Sequence, residues 1–378
     1  MRVQVHDPSV RATAWPEVVE RVQAGERLGY QDGLTLYRHH DVAEVGALAN
    51  LICERKNGDR AFFVRNQHLN PTNICEVDCL FCGFKRDRLD QAGAYRFSLD
   101  QIDSMVAKMD PLLTEIHIVS GLDPDLPYEY YLELLRRIKA ARPRVHIKAF
   151  TAVEIVYYAH KFGKELAEVL CDFQAAGLDA LPGGGAEVFA DRVRRKLCPD
   201  KASASEWLEC HRQAHLLGIP TNATILYGHI ETDGERVDHF LRLRELEDQC
   251  PGFLTFIPLA FQHGNNPLGR LRAAPADADL RNLAAARLLL DNFPHIKAYW
   301  VTIGLEAAGQ ALRFGADEIE GTVVNERIMN MAGSSSGSAV TLEQLLQLIR
   351  GAGRRPVERD GLYHIVREAD WQKRGQVI

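Results

Sequence analysis

"RAFFVRNQHLNPTNICEVDCLFCGF", residues 60–84, runs from an apolar β-type segment straight into a polar stretch that carries Cys75, Cys79 and Cys82. The first half, rich in aromatic and β-branched residues, reads as a strand. Comparable runs recur along the chain: "EIHIVSG" (115–121), "VHIKAFT" (145–151), "LDALPGG" (178–184) and "TNATILYG" (221–228). They continue with "FLTFIPLAF" (253–261), "AYWVTIG" (298–304) and "DEIEGTVV" (317–324). Segments of helical period separate them. In 128–141, Tyr131, Leu134, Leu135 and Ile138 share one face, with Pro127 suited to the first turn and Pro143 ending the helix. Trp207, Leu208, His211 and Ala214 stripe a second helix, and Leu280, Leu283, Ala284 and Leu288 a third.

Eight strands alternating with helices imply a parallel sheet, because parallel neighbours need long crossovers. The economical closure is a (β/α)8 barrel over 56–330; an open doubly wound sheet is the alternative. Residues 1–55 read as a helical extension. Residues 331–378 read as a flexible loop, "AGSSSGSA" (332–339), then a helix and a short strand. In such barrels chemistry gathers where strands end, and the cysteine stretch, "SGLDPD", "TAVE", "PGGGAE" and "YGHIE" each follow one of the first five strands.

Composition sets limits. A hydrophobic content of 46%, a charged content of 25% and a formal net charge of −6 describe an ordinary globular protein. There is no basic block to recommend nucleic acid or an anionic membrane, and no apolar run of bilayer length. The N-terminus lacks the apolar stretch of a signal peptide, so the expected location is the cytoplasm. Five of the eight cysteines (Cys53, Cys171, Cys198, Cys210, Cys250) are scattered and read as small apolar residues. The other three form one set on a single loop. Structural zinc takes four ligands, and ferredoxin-type clusters take four cysteines. Three thiolates leave one iron of a cubic cluster for a small molecule.

The spacing of three and then two residues between those cysteines, with Phe81 before Cys82, resembles the radical S-adenosylmethionine (SAM) superfamily. The resemblance implies a [4Fe-4S] cluster on Cys75, Cys79 and Cys82. SAM would be chelated at the open iron and cleaved reductively to a 5′-deoxyadenosyl radical. It further implies that Phe81 shields the cluster and that Ser120–Gly121 contacts the methionyl amine. Glu187 would bind the ribose hydroxyls, and Arg192 or Arg194 would clamp the SAM carboxylate. Gly228 and Glu231 fall in an adenine motif, with "FIPLAF" (256–261) beside it. Each position also has a plain structural reading as core, turn or surface.

Longer motifs resemble one family within the superfamily. "HLNPTNICEVDCLFCGF", "GLDPDLPYEYY", "IKAFTAVEI", "LPGGGAEVFADRVRRKLCP" and "TNATILYGHIETDGERVDHFLRLRELED" are similar to aminofutalosine synthase of menaquinone biosynthesis. That family consumes SAM as a substrate, adding the adenosyl radical to 3-[(1-carboxyvinyl)oxy]benzoate to give 6-amino-6-deoxyfutalosine and bicarbonate. The alternatives are dehypoxanthine futalosine cyclase, which tends to carry Ser-Pro-Pro-Glu where this chain has Thr151-Ala152-Val153-Glu154, and the related deazaflavin-type synthases. Asn330, in "RIMNMAGSSSGSA" (327–339), stands where many relatives carry His. A dicarboxylate substrate calls for cations or fixed donors at the rim. Lys148 and His229 are the preferred anchors, and His68, Asn70, Thr72, Asn73 and Thr151 are further donors. Glu154 is placed to orient Lys148 or a water. A one-electron donor such as flavodoxin is implied as partner.

Overall fold

The computed structural model describes residues 13–368 apart from 272, 273 and 276. Ten strands are present among them: β1 (Arg60–Val64), β2 (Asn66–Leu69), β3 (Glu115–Ile118), β4 (His146–Ala149) and β5 (Thr221–Tyr227), then β6 (Phe253–Ala260), β7 (His295–Ala298), β8 (Glu318–Ile319), β9 (Arg355–Arg359) and β10 (Ile365–Arg367). They form two sheets, ordered β10-β9-β1-β8-β7-β6-β5 and β2-β3-β4. All pairings are parallel except β9–β10. Single parallel bridges link the sheets: Lys148 to Ala180 and Leu181 to Thr221 on one side, Gln67 to Val324 on the other. The arrangement is TIM-barrel-like, with helices outside and β1–β8 largely buried on both faces.

Three expected strands differ in detail. The first run is two strands broken at Arg65, one laddered to β8 and β9 and the other to β3. The fourth, "LDALPGG", contributes only the bridges at Ala180 and Leu181, since Pro182 has no N–H to continue a ladder. The seventh lies earlier, at His295–Ala298, while Trp300–Ile303 is a short helix. Its aromatic and β-branched residues favour a strand, but Trp300 is buried with its indole N–H donating to Gly321 O at 3.0 Å, and that packing overrides propensity.

The striped helices form as their periods require, over Tyr128–Ala141, Ala204–Leu216 and Ala278–Leu289. Side chains start several helices: Ser98 with Gln101, Thr151 with Glu154, Ser203 with Glu206, and Thr232 with Glu235 are reciprocal capping boxes. Near the N-terminus, helices Trp15–Ala24, Tyr30–Arg38 and Val42–Asn57 precede β1. The Tyr37 hydroxyl donates to Asn282 Oδ1 at 2.8 Å, tying the second of them to the helix 278–289.

The C-terminal segment holds two strands, and it seals the end of the barrel away from the cysteine loop. β9 continues the sheet beside β1. Tyr363 stacks on His295, the first residue of β7, at 4.1 Å. Gly361 lies so close to His146, the first residue of β4, that a Cβ there would fall 2.1 Å from its ring. Arg359 reaches inward, fully buried, with Nε 3.1 Å from Glu318 Oε1 and Nη1 3.5 Å from Glu115 Oε2.

Candidate functional site

A cavity of about 260 Å³ opens at the C-terminal ends of the strands, and Cys75, Cys79 and Cys82 all line it. Their loop is held from beneath by polar residues of the 68–87 stretch. Thr72 donates to Asp123 Oδ2 at 2.9 Å, and Arg96 grips the same carboxylate with Nε at 2.7 Å. The Asn73 amide accepts from Tyr95 N at 2.8 Å and donates to Gly93 O at 2.9 Å. Asn70 donates to Val119 O at 2.7 Å. Gly121 sits against the loop with no room for a side chain: a Cβ would lie 2.1 Å from Ile74 O.

All three thiols are free. Burial raises the Cys75 thiol and pushes that of Cys79 up to about 12, so thiolates here require a compensating positive centre. No fourth cysteine among the described residues lines the cavity. Among the described residues no three His, Cys, Asp or Glu converge as ligands of one ion would. A cubane makes no such demand, because each cysteine binds a different iron. The donor set fits a cluster with one iron open.

Beside the cysteines stands a buried ion pair. Lys201 Nζ lies 2.6 Å from Glu187 Oε1 and 5.5 Å from the centre of the Phe81 ring. Burial works against the Lys201 charge, but Glu187, with Cys79 and Cys198, more than offsets it and keeps the ammonium protonated. Glu187 adopts φ 47, and its second oxygen has no protein partner among the described residues. The backbone of Pro182–Gly185 completes that wall, with Thr151 Cγ2 3.0 Å from where a Gly184 Cβ would sit. Ser120 lines the cavity too, its N and Oγ both donating to Glu154 Oε1, at 3.0 and 3.1 Å. Glu154 also accepts from Thr151 N and Oγ1, at 2.7 and 2.8 Å. Burial nevertheless pushes its carboxyl up to about 7. Glu154 thus joins the ends of two strands and does not touch Lys148.

The floor is ionic. Lys148, fully buried, is 2.8 Å from Glu115 Oε2. Lys297 lies 3.2 Å from Glu318 and 3.0 Å from Glu320, which also accepts from Asn66 Nδ2 at 2.7 Å. Above it, His68 and His117 stack at 4.6 Å with an interplanar angle of 15°. Register explains the grouping: His68, His117 and Lys148 are direct cross-strand neighbours, and all three line the cavity.

Eight expected site residues lie off the cavity wall, Asn70 and Thr72 among them. Asn73 holds the cluster loop, as above. Arg194 is buried with Nη1 donating to Ala186 O at 2.6 Å, which spends its guanidinium on the glycine-rich turn. Arg192, the other candidate clamp, pairs with Glu235 at 2.7 Å. Gly228 (φ 92), His229 and Glu231 form a closed turn after β5. Glu231 accepts from Gly228 N at 2.6 Å and His229 N at 2.9 Å, and pairs with Arg236 at 2.5 Å. His229 Nδ1 is 2.8 Å from Glu231, and its Nε2 is 2.9 Å from Leu226 O, so the imidazole has no nitrogen left for a ligand. Sequence reasoning passed over His117, Lys201, Lys297 and Glu320.

Comparison with known proteins agrees with this geometry. Residues 69–243 match the family described as "Radical SAM superfamily", and residues 250–371 match "CofH/MqnC C-terminal region". The chain is 49% identical over 358 residues to aminodeoxyfutalosine synthase of Thermus thermophilus, covering 93% of this chain and 96% of that protein. It belongs to the radical SAM superfamily. The Streptomyces coelicolor aminodeoxyfutalosine synthase is 42% identical, covering 93% of this chain and 94% of that protein. A 5-amino-6-(D-ribitylamino)uracil–L-tyrosine 4-hydroxyphenyl transferase of Methanopyrus kandleri is 39% identical, covering 82% of this chain and 85% of that one. Among solved structures, methylornithine synthase superposes with a TM-score of 0.71 at 17% identity, covering 90% of this chain and 97% of that chain. Radical SAM proteins use a [4Fe-4S] cluster and SAM, the two groups the cysteine loop and cavity suit. No helix among the described residues is long and apolar enough to cross a membrane.

Proposed function

We propose that this radical SAM protein is an aminodeoxyfutalosine synthase. It would join the 5′-deoxyadenosyl group of SAM to 3-[(1-carboxyvinyl)oxy]benzoate, with loss of bicarbonate. The observation that carries the reading is near full-length identity of 49% to a synthase of that name. When bound, the reduced cluster and SAM supply the adenosyl radical; an external one-electron donor of flavodoxin type reduces the cluster.

The chain's own residues position and enclose. Cys75, Cys79 and Cys82 hold the cluster at the cavity mouth. Phe81 and the Lys201–Glu187 pair flank it, and the free oxygen of Glu187 takes a ribose hydroxyl. Ser120 presents its backbone beside Gly121 to the methionyl end, fixed by Glu154. The aryl substrate lies deeper, over His68 and Lys148, between the apolar wall of Ile257 and Leu259 and the cover supplied by Ile328, Met329 and Ala332. That cover contains Asn330, whose Nδ2 donates to Glu326 O at 2.6 Å and therefore fixes the segment. Radical addition needs no strong acid or base. It needs reacting carbons held in contact and water excluded, which a closed, largely apolar chamber provides.

The test is anaerobic incubation of cluster-loaded protein with reductant, SAM and the enol-ether benzoate. The expected result is an adenosylated product formed one-for-one with SAM consumed, with free 5′-deoxyadenosine a minor species. Turnover of dehypoxanthine futalosine, or of 5-amino-6-(D-ribitylamino)uracil with tyrosine, in place of the benzoate would refute the proposal.

A further inference from the structure

Every cation on the cavity wall is already matched. Lys85 is 2.9 Å from Asp87, and also pairs with Asp78. Lys148 pairs with Glu115, Lys201 with Glu187, and Lys297 with Glu318 and Glu320. No arginine among the described residues lines the cavity. A dicarboxylate entering this chamber therefore meets no uncommitted positive charge among the described residues. In a low-dielectric enclosure an unpaired carboxylate is costly, so a counter-charge must arrive with it.

The wall holds one pair of groups able to supply that charge. His68 and His117 face the cavity from adjacent strands, and neither imidazole has a protein hydrogen-bond partner among the described residues. Their free nitrogens are therefore available to a ligand. The groups around them are Glu115, Glu320, Glu326 and Lys297 for His68, and Glu115, Glu320 and Lys148 for His117. Acids outnumber bases about the stack, which favours an added proton once the desolvation cost is offset. In the empty cavity that cost dominates: burial lowers His68 and takes His117 down to about 3, so both are neutral near pH 7.

We propose that a substrate carboxylate docks on the stacked His68–His117 pair and that binding takes up one proton from solvent there, forming an imidazolium–carboxylate pair. This rests on the aryl dicarboxylate reading of the site. The sign follows from linkage. Free protein binds no proton at the pair above about pH 6.5, whereas the complex binds one, so affinity falls as pH rises. Between the free and bound values Kd grows up to tenfold per pH unit.

The experiment is calorimetric titration of cluster-loaded, SAM-bound protein with 3-[(1-carboxyvinyl)oxy]benzoate, without reductant so that nothing turns over, in phosphate and in Tris at pH 7.5. The difference in heat between the buffers gives the protons exchanged. About one proton taken up is expected. The double variant His68→Gln/His117→Gln, with cluster absorbance intact, is expected to take up none and to show a Kd independent of pH. Zero uptake by the wild-type protein would overturn the proposal. So would uptake retained in the double variant, which would assign the proton to Glu154, the wall carboxyl that burial pushes up to about 7. Turnover of the benzoate with no uptake overturns only this proposal. Absence of both binding and turnover overturns the functional reading with it.

Discussion

Replacing Arg359 with Met should destabilise the protein more than any surface change, because it unbalances a closed set of buried charges. The floor holds three carboxylates, Glu115, Glu318 and Glu320, against three cations, Lys148, Lys297 and Arg359. All six are at least 96% buried. Arg359 spans two of the acids and lies 4.1 Å from the centre of the Tyr363 ring. Met fills much of its volume, so the loss is electrostatic: Glu115 keeps Lys148 and Glu318 keeps Lys297, but the buried set is left with one negative charge uncompensated. Such breakage costs about 3–5 kcal/mol. Urea unfolding of apo-protein, with the slope unchanged, measures it. The decisive comparison is Arg359→Met/Glu318→Gln, which removes one charge of each sign and restores neutrality. The double variant should be more stable than the sum of the two single losses by roughly 1–3 kcal/mol. An Arg359→Met loss below about 1 kcal/mol, or strict additivity in the cycle, would refute the claim that this network is charge-balanced and closed.

Cys79→Ala should fold yet lose its visible iron–sulfur absorbance and all turnover; unchanged turnover would contradict the assignment of the cysteine loop. Gly121→Ala pushes a methyl to 2.1 Å from Ile74 O, so the loop must shift; the variant should load less cluster than wild type at equal secondary-structure content by circular dichroism. Burial works against the Glu231 charge, but His229, Arg236 and the Gly228 N–H hold its carboxyl down at about 2. Its contribution is therefore full above pH 4.5 and is lost as pH falls toward 2. Over that span the stability advantage of wild type over Glu231→Gln should shrink by about 3 kcal/mol, and a pH-independent difference would remove Glu231 from its structural role.

What could be read from the sequence was local. The cysteine spacing lies within one loop, and each strand or helix period lies within one element, so a single pass along the chain reaches them. The roles of Gly228, His229, Glu231 and Arg194 were not legible, although their partners lie within eight residues along the chain. A carboxylate at a strand end binds a ligand or caps its own turn with equal chemical ease. Only the position of Arg236, and of the backbone N–H groups that Glu231 accepts from, shows that here it caps the turn. The C-terminal strands were half legible, because β9 gains its meaning from a ladder to β1, nearly three hundred positions earlier.

The floor was legible in principle through a pattern that comparison between strands reveals. "NQHL" (66–69), "EIHI" (115–118), "HIKA" (146–149) and "HIKA" (295–298) each carry a basic or imidazole residue at the third position. Alternation puts first and third residues on the same face. In β2, β3 and β4 the ladders hold those third positions level, so His68, His117 and Lys148 meet. The repeated tetrapeptide behaves the same way twice. His146 and His295 both face the C-terminal segment, against Gly361 and Tyr363, while Lys148 and Lys297 both turn to a glutamate on a neighbouring strand. A lone Lys148 in a strand could point either way. Four strands with the same polar residue class in the same place could not all point outward, because strands buried on both faces have only the barrel interior in which to satisfy a charge.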